Sequence, residues 1–116
     1  MGLDVWFYRT DKTAYDNKEK IEEKLKDDKE LLQAFHALID DYYPEVGYLR
    51  NPWELIVQLE VEDTVDKIIS KEDIQGVIEY YEARKPEGHE YVISKLQEIL
   101  DSFNFRDNYL IIHAWW

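Results

Sequence analysis

An acid set among apolar residues is the first group in this chain that raises a chemical question. Asp4 stands inside Leu3-Asp4-Val5-Trp6-Phe7-Tyr8. A carboxylate drawn away from water needs a partner, and Arg50, Arg9 and His113 are the residues that can supply one. Asp4, Arg50 and His113 together would form a small pocket holding an acid, a permanent cation and an imidazole. The plainer account of the same residues is an internal ion pair, or a charge that guards a sheet edge.

Other constellations are poorer. The three histidines are His36, His89 and His113. None has a second histidine or an acid at a ligand spacing such as His-Glu-x-x-His, so neither a metal nor a cofactor is expected. His36 and His113 read as packed and hydrogen-bonded, His89 as solvated. Carboxylate pairs abound, among them Glu19/Glu22/Glu23, Asp40/Asp41, Asp63/Asp66 and Glu79/Glu82. A glycosidase pair comes from separate elements facing a cleft, whereas most of these decorate helix surfaces. Ser70, Ser94 and Ser102 lack a nucleophile-elbow context. Gly2, Gly47, Gly76 and Gly88 are too dispersed for a phosphate-binding loop. Catalysis is therefore a lesser expectation than binding.

Charge gives the second signal. The formal net charge is −12, which opposes direct binding to nucleic acid or to an anionic membrane and favours encounter with basic partners. Between residues 54 and 82, nine acids meet only Lys67 and Lys71. Glu60, Glu62, Asp63, Asp66, Glu72 and Asp73 are the candidates within that run. Their ordinary fate is a solvated helix face. Their sharper use would be a row of carboxylates that imitates nucleic-acid phosphates and occupies the cationic groove of a nuclease or defence protein.

Elements must position these groups. At 116 residues, with 45% apolar and 15% aromatic side chains, one domain with its own core is the expectation. The chain has no cysteine, which removes disulfides, thiolate metal sites and cysteine nucleophiles. No stretch reaches the length of a membrane span and no basic-then-apolar leader opens the sequence, so a cytoplasmic protein is expected.

Residues 3–8 alternate with period two and read as a strand, with Leu3, Val5 and Phe7 on one face. Residues 9–15 read as a loop. Residues 17–43 read as helix, or as two helices over 17–26 and 28–43, with Ile21, Leu25, Leu32, Phe35, Ile39 and Tyr42 on one stripe. Pro44 ends that segment, and 45–50 read as a connector. Asn51-Pro52-Trp53-Glu54 has the form of a helix start, Asn51 capping and Pro52 in the first turn, so the stretch that follows reads as a short helix although Val57, Leu59 and Val61 alternate like a strand. Ser70-Lys71-Glu72-Asp73 opens another helix, with Ile74, Val77, Ile78 and Tyr81 inward. A last helix over about 89–102 turns Val92, Leu96, Ile99, Leu100 and Phe103 inward.

The final eight residues, Tyr109 to Trp116, are apolar on both faces. Such a stretch is best placed in a sheet, beside residues 3–8. The architecture is then α+β: the first and last strands paired in a small sheet, with 56–61 as a third candidate strand, packed against three to five helices. If the helices cover one face alone, Trp115 and Trp116 are left for a partner.

Both ends also carry a resemblance. Met1-Gly2-Leu3-Asp4-Val5-Trp6-Phe7-Tyr8, Tyr48-Leu49-Arg50-Asn51, Ser70-Lys71-Glu72-Asp73 and Ala114-Trp115 resemble, in order, the short motifs of a loose family of small bacterial and phage-encoded proteins. That family begins Met-Gly-Leu-Asp and closes near Ala/Ser-Trp. The resemblance implies a bacterial or phage setting and no particular chemistry. The functional expectation is a non-catalytic module that binds a protein partner, a basic one, or a second copy of itself as a homodimer. An acidic mimic of nucleic acid and an enzyme with a pocket around Asp4 are the alternatives.

Overall fold

The computed structural model describes residues 2–36 and 45–116. In chain order the elements are β1 (Asp4–Asp11), α1 (Lys12–Asp16), α2 (Lys18–Leu25), α3 (Lys29–His36), β2 (Glu45–Arg50), α4 (Trp53–Leu59), β3 (Lys67–Ile69), α5 (Lys71–Arg84), α6 (His89–Ser102) and β4 (Asn108–Trp115). The four strands form one antiparallel sheet in the order β2-β1-β4-β3. The first and last strands are its centre, paired from Asp4 opposite Trp115 to Asp11 opposite Asn108. The fold is α+β.

Alternation in β1 and β4 divides the sheet into two faces. Leu3, Val5 and Phe7 point inward with Leu110, Ile112 and Ala114, and all six are fully buried. They form one cluster with Leu55 and Ile56 of α4, Ile74, Val77, Ile78 and Tyr81 of α5, and Val92, Leu96 and Ile99 of α6. This apolar burial is the main stabilising term. Gly47 of β2 also belongs to the inward face. A β-carbon there would stand 3.5 Å from Ile99 Cδ1, so α6 lies close beneath the edge strand.

The starts of the helices follow their chemistry in different ways. At α5, Ser70 accepts from the Asp73 amide at 3.0 Å and Asp73 accepts from the Ser70 amide at 2.9 Å, a complete capping box. At α4 the expected Asn51 cap does not form. Pro52 is the capping residue and the helix begins at Trp53. Asn51 instead turns back on β1: its Oδ1 accepts from the Leu3 amide at 2.8 Å, and its own amide donates to the Leu3 carbonyl at 2.7 Å. Its φ of 59° is left-handed, a region that asparagine enters more readily than most residues.

Several expectations are corrected. Residues 45–50 are not a connector but an edge strand, irregular between Phe7 and Tyr8 of its partner. Residues 9–15 are not a loop, since β1 runs on to Asp11 and α1 follows, its first turn capped by the Asp11 carboxylate. Residues 56–59 belong to α4, the short helix expected after Asn51-Pro52-Trp53-Glu54, so the strand alternative for 56–61 falls away. Their place at the second sheet edge is taken by Lys67–Ile69. The long helical segment is broken between Leu25 and Lys29, where Asp28 accepts from the Leu31 amide at 3.1 Å. Its expected part beyond residue 36, with Asp40, Asp41, Ile39 and Tyr42, lies outside the described residues. No helix among the described residues is long and apolar enough to cross a membrane.

Candidate functional site

The outer face of the sheet carries the residues singled out for chemistry. Antiparallel register places Asp4 opposite Arg50 on one side and opposite Trp115 on the other. One step along, Trp6 stands opposite both Tyr48 and His113. Two rows of side chains therefore cross the three strands: Arg50-Asp4-Trp115 and Tyr48-Trp6-His113.

Neither Arg50 nor His113 is the hydrogen-bond partner of Asp4. That partner is the Tyr48 hydroxyl, which donates to its carboxylate. The bond to Asp4 comes first among the causes that raise the Tyr48 phenol above its usual range, followed by burial. His113 pairs instead with Asp66, Nδ1 to Oδ1 at 2.8 Å. The Trp6 indole lies between the two pairs, its ring centroid 5.5 Å from that of Tyr48 and 6.1 Å from that of His113. Asp4 and His113 thus share a face but are held apart by an aromatic plate. The guanidinium of Arg50 lies beside Gly2, where a β-carbon would be 3.4 Å from Nη2. Among the described residues Arg50 makes no ion pair.

Farther along the same face, Tyr8 is raised by burial first and then by the Glu45 and Asp66 charges. Tyr109 donates to Asp16 at 2.7 Å and meets Tyr15 edge-on at 5.5 Å, so α1 closes that end. Ile111 and Thr10 are buried there. At the opposite end the cover stops.

That uncovered end is where the tryptophans gather. Trp115 is 59% exposed, Trp53 44% and Trp116 37%. Trp116 has passed the end of β4. Its amide donates to Asp63 Oδ1 at 3.0 Å, and its ring meets Trp53 edge-on at 5.9 Å. Trp53 is the first residue of α4 and comes near because β2 ends opposite the start of β1. Sequence reasoning placed Trp115 and Trp116 here but took Trp53 only as part of a helix start. A tryptophan in the first turn of a short helix carries no signal of exposure.

Behind Trp53 lies a cleft of about 590 Å³, lined by Arg50, Trp53, Glu54, Tyr81, Glu87 and Tyr91 among others. Glu54 accepts from the Tyr80 hydroxyl at 2.9 Å. Tyr81 is buried, its oxygen accepts from the Leu55 amide at 3.0 Å, and burial pushes its pKa up to about 12.

The candidate acids do not form one row. Asp63 ties down Trp116, Asp66 holds His113, and Asp73 completes the α5 cap. Glu60 is the left-handed residue that ends α4. Glu62 and Glu72 are exposed. Among the described residues no group of three or more histidines and acids has a geometry that could hold a metal ion. Neither the known protein families, nor the curated proteins, nor the solved structures offer a match to this chain.

Proposed function

We propose that this chain is a protein-interaction module whose contact surface is the tryptophan end of the sheet, and that its partner presents a basic surface. The observation that carries this reading is the exposure of Trp53, Trp115 and Trp116 together at one uncovered end. Tryptophan is costly to leave in water and is among the residues that dominate binding energy at protein interfaces. The partner's sign follows from the net charge of −12 and from the acids near the indoles, Asp4, Glu54 and Asp63, which favour approach by cations. A role as an enzyme draws less support, because Asp4 and His113 each serve a separate hydrogen-bonded pair with Trp6 between them. The resemblance suits a bacterial or phage protein.

Affinity capture from a bacterial lysate with the native chain and with Trp115→Ala, run side by side at low and high salt, tests this. The expected result is a basic protein held by the native chain at low salt, released at high salt, and lost with Trp115→Ala. Equal capture by both chains overturns the reading. Light scattering across a concentration series covers the homodimer: a dimer that Trp115→Ala dissociates would transfer the same surface to self-association.

A further inference from the structure

We propose that the cleft behind Trp53 receives a guanidinium or ammonium side chain from the basic partner. This rests on the interaction reading above and assigns its anchor. Three properties of the cleft select a cation. Two exposed rings are among its lining side chains, Trp53 at the first residue of α4 and Tyr91 in the first turn of α6, both 44% exposed. Aromatic faces attract cations through their quadrupole, tryptophan most strongly.

Its carboxylates are Glu54 and Glu87. An anion would meet both, and an apolar plug would strip both of water without compensation. The one cation in the lining, Arg50, stands opposite Asp4 of the outer sheet face, with its guanidinium beside Gly2. Its charge is thus directed toward the outer sheet face. The fold already contains the same recognition in miniature. Arg84 lies 5.7 Å from the centroid of the Tyr80 ring, and the hydroxyl of that ring donates to Glu54. The cleft offers the same combination of ring and carboxylate, open to solvent. Trp53 also touches Trp116, so a side chain seated in the cleft and a surface resting on the outer indoles would engage one continuous patch.

The probe is an end-blocked tetra-arginine peptide, with end-blocked tetra-glutamate as its control, titrated into the full chain. The readout is the NMR shift of the four tryptophan indole N–H groups, assigned by single substitution. The arginine peptide is expected to shift Trp53 saturably at low salt. Tyr91→Ala, and separately the pair Glu54→Gln with Glu87→Gln, are expected to weaken it by about tenfold. Thermal melts confirm that the variants remain folded. An equal response to tetra-glutamate, unchanged affinity in the cleft variants, or shifts confined to Trp115 and Trp116 overturns the proposal. The two readings fail separately. If Trp115→Ala releases the partner but the peptide ignores the cleft, the interaction surface stands and the anchor is wrong. If the cleft binds arginine but Trp115→Ala still holds the partner, the surface is wrong.

Discussion

Asn51 allows two energies to be measured separately at one position. Its side chain is the acceptor for the Leu3 amide, and Leu3 is fully buried. Its backbone is left-handed at φ 59°. Replacement by glycine keeps the backbone comfortable and removes the acceptor. A buried amide left without a partner costs about 1–3 kcal/mol. Replacement by alanine removes the acceptor and also forces a β-carbon into the left-handed region, about 1–2 kcal/mol more. Asn51→Ala should therefore be less stable than Asn51→Gly by that second amount, and both less stable than the native chain. Asn51→Asp, which keeps an acceptor, should lie closest to native. Urea denaturation with an unchanged m-value is the assay. At this chain length each kcal/mol corresponds to about 4 °C in Tm. Equal stability of the alanine and glycine variants would show that the backbone is not strained there. A glycine variant as stable as native would show that the Leu3 amide finds another partner. The residue lies between Arg50 and Trp53, so loss of this latch should also loosen the cleft.

Three further outcomes follow from local geometry. Ser70→Ala and Asp73→Ala should each cost about 1 kcal/mol, and the double variant should cost less than their sum because they share one capping box, as a double-mutant cycle would measure. Lys85 and Glu60 end their helices at φ 49° and 53°. Lys85→Gly and Glu60→Gly should each raise stability by up to about 1 kcal/mol in denaturant melts. The Tyr81 phenol is raised from 10.0 to about 12 by burial, so the folded chain binds more protons than the unfolded one within that window. Stability should fall as pH rises from about 10 to about 12. Tyr81→Phe should remove that component of the fall while costing about 1–3 kcal/mol at neutral pH through the orphaned Leu55 amide.

Alternation and capping were the legible parts of this fold. Residues 3–8 announce a strand by alternation and 109–116 by being apolar on both faces, and the structure pairs them. Ser70 and Asp73 announce α5, and Ile74, Val77, Ile78 and Tyr81 are buried as their spacing predicts. The edge strands were not legible, for a physical reason. Glu45–Arg50 has one exposed edge, a glycine and an irregular register, so it shows no clean alternation. Lys67–Ile69 is too short to show a period. The same omission hid the partner of Asp4, because Tyr48 belongs to the stretch read as a connector. Asn51 shows how a correct local signal can be overruled. It is a good capping residue, yet the amide of buried Leu3, just before β1, competes for its side chain and wins. The rows that gather Asp4, Arg50 and His113 on one face depend on register between strands distant in sequence, which no local pattern encodes.

The central pairing of β1 with β4 sets an order of events during synthesis. β1 is made before every other element, and until β4 emerges its one available neighbour is β2, in a two-stranded ribbon that is marginal in water. Leu3, Val5 and Phe7 then have no lasting cover. At ribosomal speeds of roughly 5–20 residues per second, that interval lasts on the order of 5–20 s. The entropy of closing so long a loop grows only with the logarithm of its length, so the delay burdens the nascent chain far more than the finished one. A growing chain with β1 uncovered is a natural client for chaperones. Ribosome stalling late in translation, before Asn108–Trp115 are made, should yield an aggregation-prone species with no stable sheet.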